Sequence, residues 1–149
     1  MWNESKSLNL SKLCVILFMA LLVLCAILAP RMVARLTQMS SMAHEAGRGV
    51  FLATIYAGCL PAAALLINLY VLLRRISAGD VFVNENTACL RHISWCCFAG
   101  AIICFVSALY YTPWASIGIS AAFVGLVVRV VKNVIAKAVS LQDEADYTI

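Results

Sequence analysis

Apolar residues fill four long stretches of the chain, at residues 13–29, 50–73, 93–111 and 114–131. The first three contain no charged residue, and Arg129 is the only one in the fourth. A membrane-spanning helix needs about 20 predominantly apolar residues. The pattern therefore predicts an all-α integral membrane protein, a single domain over residues 1–149 with four transmembrane helices in an antiparallel bundle.

The first stretch is preceded by lysines, as a signal peptide would be. A cleavage site would fall near Ala29, where Ile27 and Pro30 fit poorly. We expect an uncleaved first helix. The loop after it also has helical spacing in its apolar residues, which are Met32, Leu36, Met39 and Ala43. This stripe predicts that the first helix continues or that a helix lies on the membrane surface, with Gly47 and Gly49 ending it.

Apolar residues keep helical spacing beyond the fourth stretch as far as Leu141. A helix from Trp114 to Leu141 would be about 42 Å long, whereas the hydrocarbon core is only about 30 Å thick. The last helix is therefore predicted to continue outside the membrane as an extension over residues 132–149, with an acidic, exposed end.

Composition excludes several classes of protein. Hydrophobic residues make up 64% of the 149 residues and charged residues 12%, whereas a soluble domain is about half apolar and a quarter charged. A soluble enzyme and a disordered chain are thereby excluded. The seven cysteines are odd in number and lie mainly in apolar runs, which argues against a disulfide framework.

The net charge of +4 is explained by membrane topology. If both termini are inside, eight of the eleven Lys and Arg residues lie on the inner side. The positive-inside rule therefore predicts cytoplasmic termini. No basic cluster is long enough for a nucleic-acid site, so direct nucleic-acid binding is not expected.

Two segments resemble a known family. They are Phe82-Val83-Asn84-Glu85-Asn86 with Leu90-Arg91 and Ile93, and the C-terminal residues 141–149. Together with the four spans, they resemble the YoaS-like family of small bacterial membrane proteins, a domain of unknown function. Its signatures are F-x-x-E-N and an ending like L-K-E-E-N-D-L-T-I, from which this chain departs at Ala145 and Tyr147.

The resemblance implies a multi-pass protein of a bacterial inner membrane. Genes of that family often lie beside one for a small helix-turn-helix regulator, which implies a sensor or anti-regulator pair. The candidate partner-binding residues are Asn84, Glu85, Asn86, Arg91, Asp143, Glu144, Asp146, Thr148 and Ile149. Three acidic residues near the terminus would meet a basic surface. The alternatives are a solvated terminus and helix capping, with Asn84 as N-cap and Glu85 in the first turn.

Metal ligands form only incomplete patterns. Cys89, His92 and Cys96 share one helix face, but three ligands on one helix without a fourth are a weak zinc or copper signal. Met39, Met42 and His44 are a similar weak set for Cu(I). Packing explains both groups, so no metal and no cofactor are expected.

Polar and small residues inside the spans predict helix contacts. Asn68 is expected to bond a neighbouring helix, and Pro61 to kink its helix or be tolerated there. Small residues at helical spacing predict close packing, with a homodimer as a further option. These residues are Gly58, Ala62, Gly118, Ala122 and Gly125. The spans contain no Asp, Glu or Lys, which argues against ion-coupled transport.

The leading functional hypothesis is a non-enzymatic regulatory or sensory membrane protein that binds a small cytoplasmic partner. The alternative is a binder of a hydrophobic small molecule, lipid or peptide, of the immunity or small-transport type. An apolar cavity open to the bilayer near Pro61 and Asn68 would favour this alternative. A metal or redox protein is a third hypothesis. An enzyme is not expected, since no nucleophile–base pair is visible.

Overall fold

The computed structural model describes residues 4–148 and is all-helical over this range. Four long helices are separated by short connections, except that a short helix follows the first. The helices are α1 (Glu4–Met39), α2 (Ser41–Ala46), α3 (Arg48–Ser77), α4 (Asn84–Ser107) and α5 (Trp114–Tyr147). α1, α3, α4 and α5 are each long and apolar enough to cross a membrane, so the all-α, four-span prediction is confirmed.

The four long helices form an open antiparallel row in the order α1, α3, α4, α5. Each packs on the next, but no Cα atom of α3 lies within 8 Å of α5 in the described part of the chain. The same holds between α1 and either α4 or α5. Along the helix axes, residues 4 and 148 lie at the same end of the bundle as the α3–α4 turn. This end is called the terminus end, and the opposite end is called the far end. The far end carries α2 and the α4–α5 turn.

The predicted stripe after the first span belongs mainly to α1, which has 36 residues. The chain breaks at Ser40, whose side-chain oxygen accepts a hydrogen bond from the Ala43 N–H at 3.4 Å and so caps α2. Gly47 ends α2 with φ 82°, a conformation that favours glycine. Gly49 lies inside α3, so its predicted role as a terminator is wrong.

A hydrogen bond from α3 compensates for Pro30 inside α1. Proline has no N–H, so the carbonyl of Ala26, four residues earlier, loses its donor. The hydroxyl of Tyr56 donates to this carbonyl at 3.2 Å. A neighbouring helix thus supplies the bond that α1 cannot make, which is how spanning helices tolerate proline.

Aromatic rings and hydroxyls hold α3 against the end of α4 and the α4–α5 turn at the far end. The ring of Phe51 meets those of Tyr110 and Tyr111 edge-on, with centroids 5.1 and 5.2 Å apart. The Thr54 hydroxyl lies 2.9 Å from that of Ser107 and 2.6 Å from that of Tyr110. The hydroxyls of the buried Thr54 and Ser107 are thereby satisfied, as hydrophobic surroundings require.

A second cluster joins α3, α4 and α5 toward the terminus end. Its buried members are Leu72, Cys89, Leu90, Ile93 and Cys97. Val128 and Ile135 of α5 pack against it from the other side. Since α4 contributes four of the five buried residues, it is the centre of this cluster.

Glycine allows α5 to approach α4 closely. A Cβ atom added at Gly125 would lie 2.9 Å from the Cys97 Cβ, and one at Gly118 would lie 3.3 Å from the Cys104 Cβ. The Ser94 hydroxyl also donates to the Gly125 carbonyl at 3.0 Å. The two contacts set an antiparallel register between the helices.

Candidate functional site

A groove lies over α4, between α3 and α5. It has a volume of about 360 Å³ and is open on one side. The lining residues are Gly58, Pro61, Ala62, Leu65, Cys96, Cys97, Gly100, Ile117, Ser120, Ala121 and Val124. All three helices contribute through their apolar stretches, so in a bilayer the groove would open toward hydrocarbon.

The groove exists because small residues line it and because α3 and α5 do not meet. No atom lies within 4 Å of a Cβ position built at Gly58 or Gly100. Gly58 therefore faces open space and is not at the tight contact that its spacing predicted. With Ala62 it forms a wall of the groove, whereas Gly118 and Gly125 serve close packing.

The groove is suited to an unbranched hydrocarbon chain. The Ser120 hydroxyl donates to the Ser116 carbonyl at 2.9 Å, so its hydrogen is already used, and the thiols of Cys96 and Cys97 are weak donors. Of the residues that the structure describes, no charged side chain lines it. Because the groove is open on one side, it would hold a stretch of such a chain without enclosing it.

Pro61 lies in the groove, but Asn68 does not. The Asn68 side-chain amide donates to the Ala64 carbonyl of its own helix at 2.8 Å. The predicted bond from Asn68 to a neighbouring helix is therefore wrong. Pro61 removes the N–H that would pair with the Ala57 carbonyl, which leaves that carbonyl without its helical donor, one turn before Pro61.

Two predictions for the start of α4 are corrected. Val83, not Asn84, is the N-cap, and it makes no side-chain cap bond. Asn86 is only 1% exposed, and its amide donates to the carbonyls of Asp80 and Val81 at 2.6 and 2.9 Å. Asn86 therefore fixes the α3–α4 turn and is not accessible to a partner.

The remaining candidate partner residues lie on the surface but not in one cluster. Asn84, Glu85 and Arg91 are exposed on α4. Continuing the register of Gly125 with Cys97 places Arg91 level with residue 131 of α5. The first tail acid, Asp143, then lies about 18 Å further along the helix axis, so the structure does not bring Arg91 and the tail acids together.

The acidic end of α5 is helical and exposed. Asp143, Glu144 and Asp146 are exposed on the helix, which continues beyond the predicted Leu141 to Tyr147. The Thr148 hydroxyl donates to the carbonyls of Glu144 and Ala145, both at 3.0 Å, and so closes the last turn. Ile149 lies outside the described residues.

The weak metal candidates are not assembled. Cys89 is buried, His92 is exposed and Cys96 lines the groove. Over residues 4–148, no three His, Cys, Asp or Glu side chains are placed to hold a metal ion.

Four apolar helices with a groove between three of them define a multi-pass α-helical membrane protein. Residues 3–149 match the family described as protein of unknown function DUF2975, and the chain belongs to this family. No curated protein and no solved structure matches the chain.

Proposed function

We propose that the protein is a non-enzymatic membrane sensor, in which α5 links an apolar ligand in the groove to a soluble partner at the terminus end. The observation that carries this proposal is the continuity of α5. The helix lines the groove with Ile117, Ser120, Ala121 and Val124 and runs unbroken to Tyr147. At 34 residues it is about 51 Å long, longer than the hydrocarbon core.

The ligand is a single hydrocarbon chain of a lipid or fatty acid. Volume and apolar lining support this choice, and the bilayer surrounding the groove supplies such chains. A chain in the groove would contact both α3 and α5, whose Cα atoms nowhere come within 8 Å of each other in the described residues. It would therefore favour one spacing of these helices, and a ligand shifts a conformational equilibrium only through such differential contacts.

The partner is a small soluble protein with a basic surface, for which the exposed acids Asp143, Glu144 and Asp146 are complementary. The resemblance to the YoaS-like family supports a helix-turn-helix regulator in this role. The positive-inside rule supports cytoplasmic termini, and the resemblance supports a bacterial inner membrane. Such a partner would meet the terminus end.

Photolabelling tests the groove. The purified full-length protein in detergent is incubated with a fatty acid carrying a photoreactive group, and labelled peptides are identified by mass spectrometry. Labelling is expected on the α3, α4 and α5 segments that line the groove. Ala121→Leu fills the groove and should lower labelling several-fold. Ala99→Leu is the matched control, since Ala99 is exposed on α4 outside the groove.

Equal labelling of the two variants, or labelling confined to other helices, would count against the ligand site.

Retention of the regulator encoded by the neighbouring gene tests the partner separately. The triple variant Asp143→Asn, Glu144→Gln and Asp146→Asn should release a regulator that the native protein retains at low salt. Native protein that retains none would contradict this part.

A second function has support of its own from the groove. If fatty acid labels the groove and the charge variants leave regulator retention unchanged, the protein binds lipid without a readout at the tail. The alternative of a simple apolar-ligand binder would then replace the sensor. The two experiments therefore distinguish the two functions.

A further inference from the structure

The part of α1 that follows Pro30 carries a polar face. Arg31, Arg35 and Gln38 are spaced by four and three residues, so they lie along one side of the helix. All three are exposed and line one surface cavity of about 490 Å³, together with Leu28, Met32 and Ala34. This cavity is separate from the groove, which α3, α4 and α5 form.

The polar face lies at the depth of lipid headgroups. The charge-free run before it, residues 13–29, is about 26 Å long as a helix, close to the thickness of the hydrocarbon core. Arg31 and Arg35 therefore follow directly at the far interface. Leu28 lies one turn earlier, on the hydrocarbon side.

Among the described residues, no carboxylate lines the cavity of the two arginines. Glu45 is the only acidic residue between positions 5 and 79 of the sequence, and it lines a different cavity with Leu109 and Tyr110. Guanidinium groups bind phosphate oxygens through pairs of parallel hydrogen bonds. Two of them one helical turn apart, beside an amide donor, match a phosphodiester at the membrane surface.

We infer that Arg31, Arg35 and Gln38 bind the phosphate headgroup of an anionic phospholipid, while one of its acyl chains lies along Leu28 and Met32. The ligand is a lipid of the leaflet that meets the far end. Free phosphate shares the headgroup chemistry but has no apolar part to contact Leu28. The site is independent of the groove and of the tail, so it stands whether or not the sensor proposal holds.

Native mass spectrometry of the full-length protein in detergent tests this site, with phosphatidylglycerol and phosphatidylcholine as probes. The native protein should retain phosphatidylglycerol preferentially. Each of Arg31→Gln and Arg35→Gln should lower its affinity about fivefold, because each removes one guanidinium contact to the phosphate. Arg48→Gln is the control, because Arg48 is exposed near the same end but does not line the cavity.

Arg31→Lys with Arg35→Lys keeps the charge but loses the planar fork, and should retain only part of the preference. Three results would overturn the inference. These are equal retention of the two lipids by the native protein, an unchanged preference after both glutamine substitutions, and displacement of phosphatidylglycerol by excess inorganic phosphate, which would identify a free-phosphate site.

Discussion

Glycine residues serve two different purposes at the helix interfaces. Gly118 and Gly125 bring α5 against α4, where an added Cβ would meet Cys104 or Cys97 at 3.3 Å or less. Gly58 and Gly100 leave space unfilled and so create the groove. The residue type is the same, and only the presence or absence of an opposing helix distinguishes the two pairs.

Substitution of Gly125 by a residue with a Cβ atom should therefore destabilise the protein. Gly125→Ala places a methyl group 2.9 Å from the Cys97 Cβ, and overpacking of this kind costs about 1–3 kcal/mol. Gly100→Ala meets nothing within 4 Å and should gain about 0.5–1 kcal/mol from helix propensity. Unfolding in detergent, followed by circular dichroism, measures both. Similar stabilities of the two variants would contradict the close α4–α5 contact.

The hydroxyl of Tyr56 should contribute to the stability of the fold only because Pro30 is present. Tyr56→Phe removes the bond to the Ala26 carbonyl and should cost about 1 kcal/mol. In a Pro30→Ala background the restored N–H of residue 30 satisfies that carbonyl, and the same change should cost almost nothing. A double-mutant cycle measures this coupling, and additive effects would show that Tyr56 does not compensate for Pro30.

At the scale of elements, the turn between α3 and α4 is stabilised by a buried side chain, that of Asn86. The Asn86 amide binds the carbonyls of Asp80 and Val81, so the helix start organises the residues that precede it. Val83, the N-cap, has no side-chain oxygen with which to cap α4. The turn therefore depends on a residue in the third position of the helix.

Asparagine-to-aspartate changes at two nearby positions test this role. Asn86→Asp replaces two donated hydrogen bonds with a buried carboxylate facing two carbonyls, and should destabilise the protein by about 3 kcal/mol or more. Asn84→Asp puts the same charge on an exposed residue at the positive end of the helix and should be neutral or slightly stabilising. Thermal unfolding of the two variants gives the comparison. Equal losses would exclude the proposed role of Asn86.

At the scale of the whole molecule, an even number of spans puts residues 77 and 146 on one side of the membrane and residue 112 on the other. Single cysteines introduced by Ser77→Cys, Thr112→Cys and Asp146→Cys into a cysteine-free variant test this arrangement. If the termini are cytoplasmic, a membrane-impermeant thiol reagent added to intact cells should label the Thr112→Cys variant and neither of the other two. Labelling at only one of positions 77 and 146 would place them on different sides of the membrane and would contradict four spans.

Hydrophobic pattern alone was sufficient to predict the four spans and the extension of α5, because long apolar runs have few alternatives in a bilayer. It did not predict the groove. Gly58 and Ala62 have the spacing of a helix contact. Only the positions of α3, α4 and α5 show that the space in front of these two residues is the groove and holds no further helix of the described chain. Likewise, Asn86 differs from Asn84 only by its burial, which depends on packing and not on local sequence.

The open row has a consequence for biosynthesis. Each long helix packs mainly on those next to it in the chain, and in the described part of the molecule no Cα atom of α1 lies within 8 Å of α4 or α5. As the ribosome delivers the spans in order, each one finds its docking surface already present in the membrane. The chain can therefore assemble stepwise during insertion, without waiting for its C-terminal half, and α5 completes the groove when it arrives last.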